Sequence, residues 1–119
     1  MKKKTQDFKV RLYSWTLKLI HSVDALPHTI SNNAIAQQVI RSGTSVCANY
    51  VEGQAASSKK DFTNYLSIAL KSANETKYWL AILRDLKRIE GKKVGELLAE
   101  LEAISNILGA SIVTLKRKK

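Results

Sequence analysis

The longest helical pattern in the chain is residues 59–90, KKDFTNYLSIALKSANETKYWLAILRDLKRIE. One stripe in it recurs at steps of three and four: Phe62, Leu66, Ala69, Ala73, Thr76, Leu80 and Leu83. Residues at that spacing share one face of an α-helix. A second stripe lies beside the first: Tyr65, Ile68, Ser72, Trp79, Ile82, Leu86 and Ile89. One stripe is enough to pack inside a small bundle, so the second predicts that another surface, such as a second subunit, covers part of this helix.

Three more segments carry the same apolar spacing, at about residues 5–26, 30–52 and 94–116. Pro27 ends the first of them, because proline cannot continue a helix. Gly43 lies inside the second, where we expect a neighbouring helix to approach closely. Short connections place successive helices antiparallel. The sequence therefore predicts an all-α fold, an antiparallel up-down-up-down four-helix bundle, as a single domain over residues 1–119.

The expected helix ends follow from residues with known terminal preferences. Thr29 or Ser31 is expected to cap the second helix by accepting a backbone N–H bond. Gly53 is expected to end that helix, since glycine tolerates positive φ. Gly91 is expected to end the third helix in the same way, with residues 92–93 forming the turn before the fourth.

The chain is strongly basic, with 20 Lys and Arg against 10 Asp and Glu and a formal net charge of +10. Such an excess attracts polyanions, so nucleic acid and an acidic protein surface are the candidate partners. A membrane surface is a weaker candidate, because no segment sets a basic face against a face rich in Trp and Phe. Part of the charge lies in two short basic tails, which also serve solubility: Lys2, Lys3, Lys4, Lys116, Arg117, Lys118 and Lys119.

The most plausible nucleic-acid contacts are basic residues toward the end of the third helix and just after it. This set is Lys77, Arg84, Lys87, Arg88, Lys92 and Lys93. Aromatic rings that could in principle stack on bases are Trp15, Tyr50, Tyr65, Tyr78 and Trp79. Their helical spacing favours core or subunit contacts instead.

A polar ridge runs along the second helix, where Arg41, Ser45, Asn49 and Glu52 follow each other at steps of four, four and three. Glu75 lies midway along the third helix. A buried polar group needs a partner, so we expect a polar network between the two helices, for example Arg41 or Asn49 with Glu75. Such a network fixes helix register, or alternatively forms a polar binding site.

No residue pattern points to catalysis, a metal or a cofactor. His21 and His28 are expected to be ordinary surface or boundary histidines, and Cys47 is expected to be a buried, inert thiol. Glu52 and Glu75 could pair as acid and base, but no third group or pocket supports this. With a single cysteine, no signal peptide and no apolar run long enough to span a bilayer, we expect a cytoplasmic protein.

Residues 38–53, QVIRSGTSVCANYVEG, resemble the signature of the four-helix-bundle proteins encoded in intervening sequences of bacterial 23S ribosomal RNA genes. Arg41, Ser45, Asn49, Glu52 and Gly53 match that signature position by position. Residues 58–62, SKKDF, resemble the Ser-Lys-Lys-Glu-Phe that follows it in the family. In this chain Cys47 stands where the family usually has Pro, and Tyr50-Val51 where it has Ile-Ala.

The resemblance implies an up-down-up-down bundle that forms ring-shaped homo-oligomers, typically pentamers. The family is similar to the accessory variability determinant of diversity-generating retroelements, which binds nucleic acid and is a partner of a reverse transcriptase. The resemblance thus leaves two functions open. One is a non-catalytic oligomer that binds RNA or DNA through phosphate contacts, and the other is a protein-interaction scaffold, for example an accessory partner of a reverse transcriptase.

Overall fold

The structure, a computed structural model, describes residues 2–117, with side chains from residue 7 onward. Four helices account for nearly all of this range: α1 (Lys2–Asp24), α2 (Ile30–Gln54), α3 (Lys59–Asp85) and α4 (Gly91–Arg117). The predicted all-α class is confirmed, and no strand occurs in the described part of the chain. The bundle measures 49 × 23 × 20 Å. Of the expected basic tails, Lys118, Lys119 and the side chains of residues 2–4 lie outside the described residues.

The helices pack in a cycle, each against its neighbours in the order α1, α2, α3, α4 and back to α1. The contact between α2 and α3 is the most extensive, and the contact between α1 and α4 is the slightest. Facing residues run in opposite directions: Arg11 meets Glu100, and further along α1 Trp15 donates its indole N–H to the carbonyl of Leu97 at 3.1 Å. α1 and α4 are therefore antiparallel, and so are α2 and α3, because Ser42 meets Thr76 and, further along α2, Ser45 meets Ser72.

The core is a continuous cluster of aliphatic and aromatic side chains along the bundle axis. Its largest fully buried members are Trp15, Leu12, Leu19, Leu66, Leu80, Leu83, Leu101, Ile104, Leu108, Val39, Val46 and Val94. Phe8 closes one end against Tyr50, with ring centroids 4.9 Å apart in an edge-to-face arrangement. Burying this apolar surface is the main force that holds the bundle together.

Both glycines of α2 are explained by close packing. A Cβ on Gly43 would collide with the side chain of Leu19, as expected for a closely approaching helix. Gly53 was expected to end α2 with a positive φ, and this was wrong, because α2 continues to Gln54 and no glycine has a positive φ. A Cβ there would lie 3.0 Å from that of Tyr65. Gly53 is thus needed because α3 packs directly against α2 at this position, where any larger residue would crowd Tyr65.

The expected end of α3 at Gly91 was also wrong. The helix stops at Asp85, Lys87 takes a left-handed conformation with φ 56°, and the N–H of Arg88 donates to the carbonyl of Leu83 at 2.9 Å. This is the hydrogen-bond pattern of a Schellman ending, here with lysine in the position that usually holds glycine. The early stop lets Ile89, which is 9% exposed, turn inward and cover the end of the core.

Gly91 begins α4, so Lys92 and Lys93 lie in the first turn of that helix and not in the preceding connection. The expectation that no apolar segment is long enough to span a bilayer was wrong for α4, which by length and composition alone could cross a membrane. A core helix of a soluble bundle passes the same test, and α4 contributes Val94, Leu101 and Leu108 to the core.

Candidate nucleic-acid interface

One end of the bundle gathers most of the basic residues that the sequence singled out. It consists of the connections 25–29 and 86–90 together with the first turns of α2 and α4, and we call it the Arg88 end. Lys87 and Arg88 line a cleft with residues of the first connection, and Arg88 and Lys93 line a second depression beside His21. The fold therefore brings residues from the third helix end and the fourth helix start to the same surface.

Arg88 joins the two connections at this end. Its Nη1 donates to Asn32 Oδ1 at 2.6 Å and to Ser31 Oγ at 3.1 Å. Asn32, only 2% exposed, donates its Nδ2 to the carbonyl of Pro27 at 2.9 Å. We call this group the Arg88–Asn32 contact. Both partners of the guanidinium are uncharged, so the positive charge of Arg88 is held in place without being neutralised.

Two of the six predicted basic residues have carboxylate partners. Lys77 Nζ lies 2.8 Å from Glu102 on α4, and Arg84 Nε lies 2.9 Å from its neighbour Asp85. Hydrogen bonding to Asp85 raises the pKa of the Arg84 guanidinium. These two cations are partly neutralised and are less available to a polyanion than the other four.

The two helices that begin at the Arg88 end, α2 and α4, have no acidic residue in their first turns. The first turn of α4 instead carries Lys92 and Lys93, both exposed. A helix N-terminus carries a partial positive charge, so two lysines there cost stability, roughly 0.3–1 kcal/mol each. The carboxylates nearest in sequence are Glu90, immediately before α4, and Glu96, three residues after Lys93, and neither forms an ion pair with the two lysines. The two lysines at the start of α4 therefore destabilise the fold slightly and favour the binding of an anion.

The polar ridge of α2 meets α3 at the surface of the bundle. Arg41 forms an ion pair with Glu75 and also donates to Gln38, and Trp79 Nε1 donates to Glu75 at 3.0 Å. The indole N–H of Trp79, and after it the guanidinium of Arg41, lower the pKa of the Glu75 carboxyl. The Arg41 side chain remains 58% exposed, so this pair links α2 to α3 at the surface of the bundle, outside the core.

The rest of the ridge is also half-buried or exposed, which corrects the expectation of a buried network. Ser45 and Ser72 hydroxyls lie 2.9 Å apart, and Asn49 donates to Ser45, not to Glu75. Glu52 is exposed on the last turns of α2. The polar pair that the core does enclose is Ser42 with Thr76, at 2.8 Å.

Other reactive groups are dispersed. Burial raises the pKa of the half-buried Cys47 thiol, which leaves it protonated and unreactive at neutral pH. A cleft of about 780 Å³ between α1 and α4 carries both signs of charge and is crossed by the Arg11–Glu100 ion pair. Within the described residues no three His, Cys, Asp or Glu side chains are grouped as a metal site.

The model of one protein family, 23S rRNA-intervening sequence protein, matches residues 3–110. The chain belongs to this family. A crystal structure at 1.70 Å of a protein of unknown function from the S23 ribosomal protein family of Bacteroides thetaiotaomicron is similar to this intervening-sequence protein, with 33% sequence identity. The match covers 93% of this chain and 96% of the other, with a TM-score of 0.66. No curated protein matches the chain.

Sequence reasoning missed Asn32, the buried residue that anchors Arg88. A signal was present, because Asn32 lies seven residues before Val39 and fourteen before Val46, in the register of the inner stripe of α2. A polar side chain in an apolar register indicates a buried hydrogen-bond partner. Its partner could not be named from sequence, because Arg88 reaches it only through the early stop of α3.

Proposed function

We propose that this intervening-sequence protein is a non-catalytic, homo-oligomeric helical bundle that binds RNA or DNA through phosphate contacts. The observation that carries the proposal is the charge of the Arg88 end. There Lys87, Arg88, Lys92 and Lys93 form no ion pair with a carboxylate in the described part of the chain. Lysines at a helix N-terminus are a local conflict that natural sequences tolerate mainly where function requires it.

The aromatic residues support contact with phosphates over stacking on bases. Trp15 and Tyr50 are buried in the core, and Trp79 is half-buried with its N–H engaged by Glu75. Among the rings considered for stacking, only Tyr78 is mostly exposed, at 61%. Binding through charge without bases is insensitive to sequence.

The test is a titration of labelled structured RNA and of duplex DNA with three proteins. These are the wild type, the variant Lys87→Asn/Lys92→Gln/Lys93→Gln, and a control with the same charge loss elsewhere, Lys59→Gln/Lys60→Gln/Lys71→Gln. We expect the first variant to lose at least tenfold in affinity for every sequence and the control to lose less. Equal affinities for all three proteins would reject the Arg88 end as the interface, and no binding by the wild type would reject the function.

Self-association is the second part of the proposal. Val10, Tyr13 and Leu17 form an exposed apolar stripe on α1, and Ile68 of α3 and Leu86, directly after that helix, are each nearly half exposed. Exposed apolar residues grouped on one helix face are typical of an interface. The family resemblance implies a ring, typically a pentamer. Mass measurement in solution by light scattering tests this, and a monomer at all concentrations would contradict it.

A protein-interaction scaffold is the alternative function. The exposed stripe on α1 favours it, because such a surface suits a protein partner as well as another subunit. The +10 charge would then complement an acidic partner, for example a reverse transcriptase. The gene's position discriminates between the readings: an insert in a ribosomal RNA gene favours nucleic-acid binding, and an adjacent reverse transcriptase gene favours the scaffold. Either function fits a cytoplasmic protein.

A further inference from the structure

We propose that the cleft between the two connections of the Arg88 end binds one phosphate group of a nucleic acid. The cleft encloses about 320 Å³ and is lined by Pro27, Thr29, Ser31, Asn32, Lys87 and Arg88. This volume is at the lower limit of small-ligand sites and suits a phosphate with its water. The inference rests on the proposed function and goes further, because it names the atoms that hold the phosphate and adds two hydroxyls that the sequence had assigned only to helix capping.

Both hydroxyls are oriented by bonds that they accept. Thr29 Oγ1 accepts the backbone N–H of Asn32 at 3.1 Å, and Ser31 Oγ accepts from Arg88 Nη1 at 3.1 Å. A hydroxyl that accepts one bond still has its own proton to donate. Each of these side chains therefore offers a donor to a ligand in the cleft.

The acceptors in the lining are already engaged. Asn32 Oδ1 takes the guanidinium of Arg88, and the carbonyl of Pro27 takes Asn32 Nδ2. No carboxylate lines the cleft, although Asp85 and Glu90 are close in sequence. The lining thus presents two cations and two hydroxyl donors with its acceptors occupied, and the complementary ligand is an anion with several acceptor oxygens.

A phosphate fits this donor set better than a carboxylate. A nucleic-acid phosphate is a tetrahedral diester whose two charged, unesterified oxygens and two ester oxygens point in four directions, whereas the oxygens of a carboxylate lie in one plane. Lys87 belongs to the connection 86–90, whereas Thr29 ends the other connection and Ser31 lies in the first turn of α2, so the lining donors come from two separate segments. Arginine binds phosphate through its planar guanidinium with strong charge-assisted bonds, and Arg88 has N–H groups beyond the one that holds Asn32.

The test measures two ligands with three variants, using inorganic phosphate and a short single-stranded RNA in calorimetric titrations. Lys87→Asn removes the charge while keeping a side chain that tolerates positive φ. Ser31→Ala removes one hydroxyl, and Lys60→Asn removes a charge from the opposite end of the bundle as a control. Amide chemical shifts of the wild type, followed during the phosphate titration, locate the site without any substitution.

We expect phosphate to shift the amides of Thr29, Ser31, Lys87 and Arg88, and Lys87→Asn to weaken phosphate binding about tenfold, as for loss of a charged hydrogen bond. Ser31→Ala should weaken it less, Lys60→Asn should leave it unchanged, and phosphate should compete with RNA. RNA binding without phosphate shifts in the cleft, or RNA binding unaffected by Lys87→Asn, would overturn the inference and leave the proposed function standing. Phosphate binding in the cleft without RNA binding would support the site as a free-phosphate site and overturn the link to nucleic acid.

Discussion

Replacing Asn32 with alanine should destabilise the fold, because the Arg88–Asn32 contact ties together the two connections at one end of the bundle. The substitution removes a hydrogen bond from a charged guanidinium at 2.6 Å and another to the Pro27 carbonyl at 2.9 Å. Arg88 is half-buried, so water can replace part of the hydrogen bonding that its guanidinium loses with Asn32. Taking low values for each bond, the free energy of unfolding should fall by about 2–3 kcal/mol.

Urea and thermal unfolding measure this loss, at equal protein concentration because self-association would shift the midpoint. For a domain of this size the melting temperature should fall by roughly 8–12 °C. Ser31→Ala is the matched control, since it removes a single bond of 3.1 Å from an exposed side chain and should cost about 0.5 kcal/mol or less. If Asn32→Ala is as stable as Ser31→Ala, the contact does not hold the connections together, and the account of this end of the bundle is wrong.

Four further results are expected. Lys92→Glu/Lys93→Glu should raise the free energy of unfolding by roughly 0.6–2 kcal/mol, because acidic residues are favourable at a helix N-terminus, and should abolish nucleic-acid binding. Urea unfolding measures the first effect. A lower free energy of unfolding would contradict the argument that the two lysines destabilise the start of α4. Gly109→Ala should stabilise α4 by about 1 kcal/mol, since a Cβ there meets nothing. Gly43→Ala should instead destabilise by about 1 kcal/mol, because crowding against a buried leucine exceeds the helix gain, and equal effects of the two changes would refute this. The pKa of the Glu75 carboxyl is lowered from its ordinary value of 4.5, so the stability that its ionised form contributes is complete at higher pH and is lost as the pH falls through the lowered pKa. Glu75→Gln should therefore lose less free energy of unfolding between neutral and acid pH than the wild type. The same loss in both proteins would show that the ionised Glu75 does not stabilise the fold.

The four helices were predictable because apolar spacing and capping residues act locally. The apolar stripe of α3 identified in the sequence is the one that packs in the core, with Leu66, Ala69, Leu80 and Leu83 all buried. Ser58 caps α3 by accepting the N–H of Asp61 at 3.1 Å. These features depend on residues three or four apart and need no knowledge of the partner helix.

The errors came from features that depend on tertiary contacts. Gly53 and Gly91 look alike in sequence as helix terminators, yet one gives space to α3 and the other begins α4. Lys87, which takes the left-handed position, has no sequence signal for it, because lysine rarely adopts that conformation. The stop of α3 at Asp85 accompanies two tertiary contacts that no local pattern shows, the burial of Ile89 and the bond from Arg88 to Asn32.

The candidate nucleic-acid interface, like the fold, was predictable only in those features that depend on local sequence. Charge and helical position identified the basic residues, but the sequence could not separate those with carboxylate partners from those without. Lys77 finds Glu102 on another helix, whereas Lys92 and Lys93 have no ion-pair partner among the described residues. Pairing across helices depends on the rotation of each helix, which apolar spacing fixes only approximately.

The salt dependence of RNA binding tests the central claim most directly. The logarithm of the association constant falls linearly with the logarithm of salt concentration, with a slope of about 0.7 per neutralised phosphate for single strands. The account predicts a steep slope for the wild type that decreases by roughly two units in Lys87→Asn/Lys92→Gln/Lys93→Gln, as three phosphate contacts are lost. A wild-type affinity independent of salt, or the same slope in both proteins, would contradict phosphate binding at the Arg88 end.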